Sequence, residues 1–253
     1  MKGVILAGGL GTRLEPLTKI TNKHLLPIYN KPMIYYPLET LVEAGIKDIM
    51  IVTGGNHAGE FLRLLGNGAE FGLKDIEYTY QKGEGGIAEA LSLTEHFVEK
   101  NRVVVILGDN LVEKSIKPYV EKFKKQKSGA RVLLKDVPDP ERFGVAEISA
   151  EGGSASGGKE RRIISIVEKP KKPKSNYVVT GIYMYDHKVF DIVRTLKPSG
   201  RGELEITDVN NAYLKLNELH YDILDGWWTD CGMPETLYRA STLIREKALW
   251  EKK

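Results

Sequence analysis

The chain has 253 residues, of which 37 are basic and 34 acidic, giving a formal net charge of +3 at pH 7. This near balance argues against a nucleic-acid-binding or membrane-surface protein. The single cysteine, Cys231, cannot form an internal disulfide, and no apolar run is as long as a membrane helix. The first apolar run follows Met1 without a cleavable signal pattern, so we expect a cytoplasmic protein.

Apolar runs separated by glycine and proline predict an α/β fold, which we interpret as one domain over residues 1–253. In the first part, about 1–115, alternating strands and helices predict a largely parallel sheet that binds a nucleotide. The second part, about 116–253, becomes antiparallel from Arg142 and is predicted to bind the other substrate. Strands are predicted at 4–7, 47–53, 76–80, 103–107, 130–137, 162–167, 177–185 and 220–224, and helices at 32–44, 57–65, 87–98, 115–126 and from Pro234.

Two further segments carry local predictions. A Gly/Ser-rich stretch at 151–159 is typical of a hairpin tip. The segment 201–208 is expected to open a helix with its acidic residues in the first turn, as the helix dipole prefers. The buried face of that helix is predicted at Ile206, Val209, Tyr213 and Leu216.

The functional prediction starts from LAGGLGTRL at 6–14, where an apolar strand ends in three glycines followed by Thr12 and Arg13. Glycine permits a sharp turn and close approach of a ligand. Exposed backbone N–H groups together with Arg13 favour an anion, so this loop is a candidate polyphosphate site. An ordinary glycine turn explains the three glycines equally well. The spacing fits neither the dinucleotide fingerprint nor the P-loop.

Other polar residues follow strands, and ligands in open α/β sheets bind outside the carboxyl ends of the strands. Gln81 follows the strand at 76–80, and its amide suits the edge of a nucleobase. Asp109 follows the wholly apolar strand at 103–107, where a carboxylate suits Mg²⁺ or, alternatively, a turn. Asp230 is equally compatible with a second metal ligand and with an acid at a helix start. Lys23, by itself, is best interpreted as a surface lysine.

Several blocks resemble the sugar-nucleotide pyrophosphorylases, and the glucose-1-phosphate thymidylyltransferases in particular. The blocks run in order over nearly the whole chain. They are LAGGLGTRL at 6–14, KHLLPIYNKPMIYYPL at 23–38, GDN at 108–110, DPERFGV at 139–145, EKP at 168–170, KSNY at 174–177, VTG at 179–181 and RGELEITD at 201–208.

The resemblance implies a three-layer α/β/α nucleotidyltransferase fold, Rossmann-like and glycosyltransferase-A-like, with a mixed, mainly parallel central sheet. It implies that dTTP and α-D-glucose 1-phosphate react with Mg²⁺ to give dTDP-glucose and pyrophosphate. Catalytic roles are implied for Arg13, Lys23, Asp109 and Asp230, with the two aspartates as metal ligands. Nucleotide contacts are implied for Gly8, Gly9, Gly11, Thr12, Arg13, Lys23, Gln81, Gly86 and Asp109, and sugar-phosphate contacts for Asn110, Gly144, Glu168, Lys169, Val179 and Trp228.

The chain also departs from the family pattern. His24 stands where glutamine is common, and KGEG at 82–85 replaces a loop that contains proline and serine. Longer members continue into a C-terminal helical segment beyond the position of Lys253, so a homo-oligomer and feedback regulation stay open. Two other functions remain as alternatives, a uridylyltransferase acting on UTP and a non-catalytic sugar-nucleotide sensor. The sensor is disfavoured because Arg13, Lys23 and both aspartates are present.

Overall fold

The first strand is buried on both faces, which requires packing layers on both sides of the sheet. A computed structural model describes residues 1–55, 57–149 and 161–250. Its strands are β1 (Lys2–Ala7), β2 (Pro27–Ile28), β3 (Lys31–Pro32), β4 (Ile49–Gly54), β5 (Ile76–Gln81), β6 (Val103–Leu107), β7 (Asn110–Val112), β8 (Ala130–Asp136), β9 (Gly144–Ile148), β10 (Ile163–Glu168), β11 (Tyr177–Tyr185), β12 (Leu219–Ile223) and β13 (Trp228–Asp230). Its α-helices are α1 (Tyr35–Glu43), α2 (Ala58–Leu65), α3 (Ile87–Ser92), α4 (Glu95–Val98), α5 (Lys117–Lys125), α6 (Val189–Thr195), α7 (Ile206–Lys215) and α8 (Pro234–Trp250).

One sheet of nine strands spans both parts of the chain. Its order is β10-β9-β11-β6-β1-β4-β5, and β8 pairs with both β11 and β12. The neighbours β6, β1, β4 and β5 are parallel, whereas β11 is antiparallel to β6, β8 and β9. The predicted parallel first part and the antiparallel strands of the second part are therefore confirmed, and the sheet is mixed.

Two hydrophobic cores cover the two faces of this sheet, because successive side chains of a strand point to opposite faces. On one face Ile5 and Ile106 pack with apolar residues of α1, α2 and α5. On the other face Val4 and Val105 pack with residues of α3, α6 and α7. The predicted three-layer α/β/α architecture is confirmed.

The prediction of a single helix at 87–98 is wrong, because two helices, α3 and α4, occupy this segment. The break follows from local hydrogen bonds. The Thr94 hydroxyl and the Thr94 N–H both donate to the Leu91 carbonyl. Such bonds compete with the regular helical pattern and close a tighter turn.

The prediction for 201–208 is correct for Asp208, which lies in the first turn of α7, but wrong about where the helix begins, because α7 starts only at Ile206. Glu205 lies before the helix and pairs instead with Arg201, at 2.7 Å between Oε2 and Nη2. Ile206, Val209 and Tyr213 are buried as predicted, whereas Leu216, one residue beyond the helix, is 56% exposed.

A short ribbon of β7 and β13, which the sequence patterns did not predict, joins distant parts of the chain. The two strands are antiparallel and place Asp230 opposite Asn110. The Cys231 N–H donates to the Asp109 carbonyl oxygen at 2.9 Å. This ribbon brings Asp109 and Asp230 to the same edge.

Two other expectations concern the surface of the molecule. The hairpin tip predicted at 151–159 lies outside the described residues. Across the parts of the chain that the structure describes, no helix is long and apolar enough to cross a membrane.

His24 stabilises the turn that carries Lys23 through its contacts with Asn22. The residue is 2% exposed, and its Nδ1 lies 2.7 Å from Asn22 Oδ1, which also accepts a hydrogen bond from the His24 backbone N–H. Burial, and then the ammonium of Lys23, lower the pKa of His24 to about 3, although Asp109 partly opposes the shift. The imidazole is therefore neutral at pH 7 and donates from Nδ1 to Asn22.

This depressed pKa predicts a loss of stability in mild acid. Between about pH 6.5 and pH 3 the unfolded chain binds a proton that folded His24 does not, so stability falls as the pH falls. Replacing His24 by glutamine removes this titration and keeps a donor for Asn22. Between about pH 6.5 and pH 5, the free energy of unfolding of the parent chain should fall by about 2 kcal/mol more than that of His24→Gln. Urea titrations at both pH values measure this, and equal losses would contradict it.

Candidate active site

A cavity of about 380 Å³ lies at the carboxyl ends of β1, β5 and β6. This is the edge where the sequence predicted a ligand, because the glycine loop follows β1, Gln81 ends β5 and Asp109 comes shortly after β6. Of the predicted site residues, those lining the cavity are Gly8, Gly9, Arg13, Lys23, Gln81, Gly86, Asp109, Asn110, Gly144, Glu168, Lys169, Val179, Trp228 and Asp230.

Gly11 and Thr12 are not among the lining residues. Gly11 has a φ of +72° at the start of the turn Thr12–Leu14, and its carbonyl accepts a hydrogen bond from the Thr18 hydroxyl at 2.9 Å. In this structure the two residues shape the loop that carries Arg13. Their nucleotide contacts remain predictions.

Lys23 and Asp109 form an ion pair inside the cavity, with 2.5 Å between Nζ and Oδ2. Both side chains are mostly buried, at 14% and 12% exposure. Burial alone raises the pKa of Asp109, but Lys23, then His24, and hydrogen bonds from Lys23 and Asn110 together hold that pKa well below its usual range. Asp109 is therefore ionised at neutral pH.

Asp230 faces the same space. Burial and then the charge of Asp109 raise its pKa, whereas Arg142, the Gly232 N–H and Arg13 lower it. Arg142 Nη2 lies 3.2 Å and 3.0 Å from the two Asp230 oxygens. Both carboxylates line the same cavity and are mostly buried, at 12% and 14% exposure, a setting in which burial and like charge both disfavour ionisation.

This pair fits a hard divalent cation. Carboxylate oxygens are the ligands that Mg²⁺ prefers, and it commonly uses one or two of them together with substrate phosphates and water. Within residues 1–55, 57–149 and 161–250, no group of three or more His, Cys, Asp or Glu side chains is placed to hold a metal ion. A cation at Asp109 and Asp230 therefore needs further ligands from a substrate or from solvent.

Asn110 connects three parts of this edge. Its Oδ1 accepts from the Trp228 indole N–H at 2.7 Å and from the Gly181 N–H at 3.1 Å. Its Nδ2 donates to Asp109 Oδ1 at 2.9 Å. Because two donors meet at one terminal atom of the amide, that atom must be the oxygen. Asn110 thus orients the Asp109 carboxylate as well as lining the cavity.

The far side of the cavity carries a mixed set of charges. Glu168 Oε2 accepts from the Thr207 hydroxyl at 2.5 Å, and its Oε1 lies 3.5 Å from Arg201 Nη2 and 3.7 Å from Lys169 Nζ. Lys169 has a φ of +42°, and its N–H donates to the Phe143 carbonyl at 2.9 Å. The backbone thus holds Lys169 beside Glu168 at the end of β10.

Sequence reasoning assigned no site role to Arg142, although it noted the block 139–145. Arg142 bridges Asp139, at 2.7 Å, and Asp230, and its guanidinium carbon lies 4.9 Å from the Phe143 ring centroid. The ring of Phe143 packs edge-on against Trp228, with 5.2 Å between centroids. Nothing in the local pattern distinguishes Arg142 from a surface arginine, because its partner Asp230 lies far along the chain.

Cys231 lies beside the two aspartates but is not a nucleophile. It is fully buried, and burial followed by the charges of Asp109 and Asp230 raises the pKa of its thiol well above the ordinary value. A thiol rather than a thiolate is therefore present at neutral pH.

The chain is similar to proteins of one known family. A nucleotidyl transferase family profile matches residues 2–247. A glucose-1-phosphate thymidylyltransferase from Neisseria meningitidis is 43% identical over 97% of this chain and 83% of its own length. One from Xanthomonas campestris is 44% identical over 96% and 80%.

Two solved structures share the fold. A Bacillus anthracis protein assigned as a glucose-1-phosphate thymidylyltransferase, crystallised with sucrose, has 55% identity and a TM-score of 0.89 over 97% of this chain and 95% of its own. A UDP-glucose pyrophosphorylase complexed with UDP-glucose has 28% identity and a TM-score of 0.81 over 97% and 98%. The chain belongs to the nucleotidyl transferase family, within which it resembles the glucose-1-phosphate thymidylyltransferases.

Proposed function

We propose that this protein transfers a thymidylyl group from dTTP to α-D-glucose 1-phosphate, giving dTDP-glucose and pyrophosphate. The observation that carries the proposal is that the carboxylates of Asp109 and Asp230 lie in one cavity together with Lys23 and the glycine loop. The similarity to glucose-1-phosphate thymidylyltransferases supports the choice of dTTP and glucose 1-phosphate as substrates.

In this reaction the sugar phosphate is the nucleophile. One of its phosphate oxygens attacks the α-phosphorus of dTTP, the bond to the bridging oxygen breaks, and pyrophosphate leaves with that electron pair. The nucleophile is already an anion, so the protein needs no strong general base. Its main task is to bring two anions together in line.

Side-chain cations are available for that task on both sides of the cavity. Arg13 and Lys23 stand on the glycine-loop side, and Lys169 stands on the far side. We assign the first two to the triphosphate and Lys169 to the sugar phosphate. Fixed positive charges of this kind stabilise the negative charge that develops on the transferred group.

Asp109 and Asp230 would hold Mg²⁺, which when bound supplies positive charge to the triphosphate. In the structure Lys23 and Arg142 neutralise these two carboxylates. Both cations line the cavity in which the substrates are proposed to bind, so they would stabilise substrate charge as well as protein charge. Asn110 keeps the Asp109 carboxylate in one orientation through its bond to Oδ1.

A second candidate is the same transfer from UTP. The specific observation in its favour is the fold shared with a UDP-glucose pyrophosphorylase complexed with UDP-glucose. Thymine and uracil present the same hydrogen-bonding edge, so the Gln81 amide does not separate them.

Pyrophosphate release measured with each of dTTP, UTP, ATP, GTP and CTP against several sugar 1-phosphates tests the proposed function. We expect dTTP with glucose 1-phosphate to give the highest kcat/KM. A higher value with UTP would favour the second candidate. Absence of pyrophosphate release from every pair would refute both transfers and favour a binding role.

Replacing Asp109 or Asp230 by asparagine removes a charged ligand while keeping its shape. Each variant should lose about 10³-fold in kcat with Mg²⁺, because several kcal/mol of charge stabilisation is lost. Asp48→Asn, at an exposed site paired with Lys2, is the matched control. Circular dichroism checks the fold, and a wild-type rate in either active-site variant would disprove the metal assignment.

Lys23→Ala separates chemistry from binding. The variant should lose about 10²- to 10³-fold in kcat with little change in the KM for glucose 1-phosphate, because Lys23 acts on the transferring phosphate. Lys31→Ala removes a lysine whose partner, Glu39, lies outside the cavity lining, and should retain full activity. An increase in the KM for the sugar phosphate with unchanged kcat would contradict the assignment.

A further inference from the structure

Glu89 contacts Gln81 but is not one of the residues that line the cavity. It belongs to α3 and is half-buried, whereas Gln81 is 5% exposed and lines the cavity. Glu89 Oε2 lies 2.6 Å from Gln81 Nε2. The carboxylate also lies over Gly85, where an added Cβ would stand only 2.2 Å from Oε2. The Glu89 carboxylate thus lies against both the Gln81 amide and the backbone of Gly85.

The contacts of Gln81 determine which way its amide faces. One terminal atom meets the Glu89 carboxylate at 2.6 Å and the Gly86 carbonyl oxygen at 3.1 Å. Both of these groups only accept hydrogen bonds, so the atom between them must be the NH₂ group. Its two hydrogens are used by these two acceptors. The amide of Gln81 therefore has no free donor.

The remaining polar atom of Gln81 is its carbonyl oxygen, Oε1. It lies against Gly8, since a Cβ added to Gly8 would be 2.6 Å away. Gly8 lines the cavity, and Glu89 does not. Gln81 thus presents an acceptor, and no donor, on the side of the predicted nucleotide site.

We propose that Glu89 is a positioning residue for base selection, holding the Gln81 amide so that its oxygen accepts the imino N–H of thymine or uracil. This inference rests on the proposed function, because it assumes that a nucleobase lies beside Gln81. Glu89 acts only through Gln81 and touches no substrate.

The arrangement rejects cytosine. Its N3 carries a lone pair where thymine and uracil carry a proton, so in the same pose it would face the Gln81 oxygen, acceptor against acceptor. A fixed mismatch of this kind discriminates more strongly than a missing contact. If the amide could turn, its NH₂ would donate to cytosine N3 and the discrimination would weaken.

Glu89→Leu and Glu89→Gln separate this role from packing. Leucine keeps a similar shape and removes the acceptor, whereas glutamine retains an oxygen that accepts from Gln81. Glu77→Leu, at an exposed position of β5, controls for the same chemical change on the surface. The affinities for dTTP and dCTP are measured by calorimetry without sugar phosphate, and kcat/KM is measured for both nucleotides with it.

In Glu89→Leu we expect the dTTP-to-dCTP preference to fall about tenfold or more, because a charge-assisted hydrogen bond holding the amide is lost. Glu89→Gln and Glu77→Leu should retain the wild-type ratio within about threefold. If Glu89→Leu does not fold, Glu89→Ala removes the same acceptor with less bulk and carries the same expectation.

An unchanged ratio in a folded variant without the acceptor would overturn the inference. So would a loss in Glu89→Gln equal to that in Glu89→Leu, because the charge rather than the amide orientation would then matter. A wild-type preference for UTP would overturn the thymidylyl proposal alone, since uracil presents the same imino N–H. A wild-type preference for cytosine would overturn the role of Glu89.

Discussion

The site depends on two mostly buried carboxylates that line one cavity. Asp109 follows the central strand β6, and Asp230 reaches it only because β13 pairs with β7. Burial, and then repulsion from the charge of Asp109, raise the pKa of Asp230. The structure meets this cost with Lys23 on one carboxylate and Arg142 on the other. A cation that contacts both carboxylates would relieve the same repulsion.

The charges around this pair suit a reaction between two anions. The backbone of the glycine loop and the side chain of Arg13 lie at one side of the cavity, and Lys169 lies at the other. The neutral side chains Asn110 and Gln81 are each fixed by two hydrogen bonds to one terminal atom, so each presents a defined polar group. Because these side chains are already ordered before the substrates bind, little free energy is lost in ordering them on binding.

The sequence predicted most of the fold because its strands are strongly apolar and clearly separated. The strand bounds at 103–107 and 177–185 agree with β6 and β11, and the glycine loop, Gln81 and Asp109 lie at one edge as expected. Its errors were local: hydrogen bonds from the hydroxyl and the N–H of Thr94 to Leu91 divide one predicted helix, and Glu205 pairs with Arg201 before another helix begins. The roles of Arg142 and Glu89 were not predictable, because each depends on a partner that only the folded chain brings near.

The central claim is that the sugar phosphate attacks the α-phosphorus directly, with no covalent bond to the protein. The most direct test uses one stereoisomer of the α-phosphorothioate of dTTP as substrate and determines the configuration at phosphorus in the sugar-nucleotide product by NMR. A single in-line displacement predicts inversion. Retention would contradict the account, because it requires two displacements and therefore a nucleotidyl group attached to the protein.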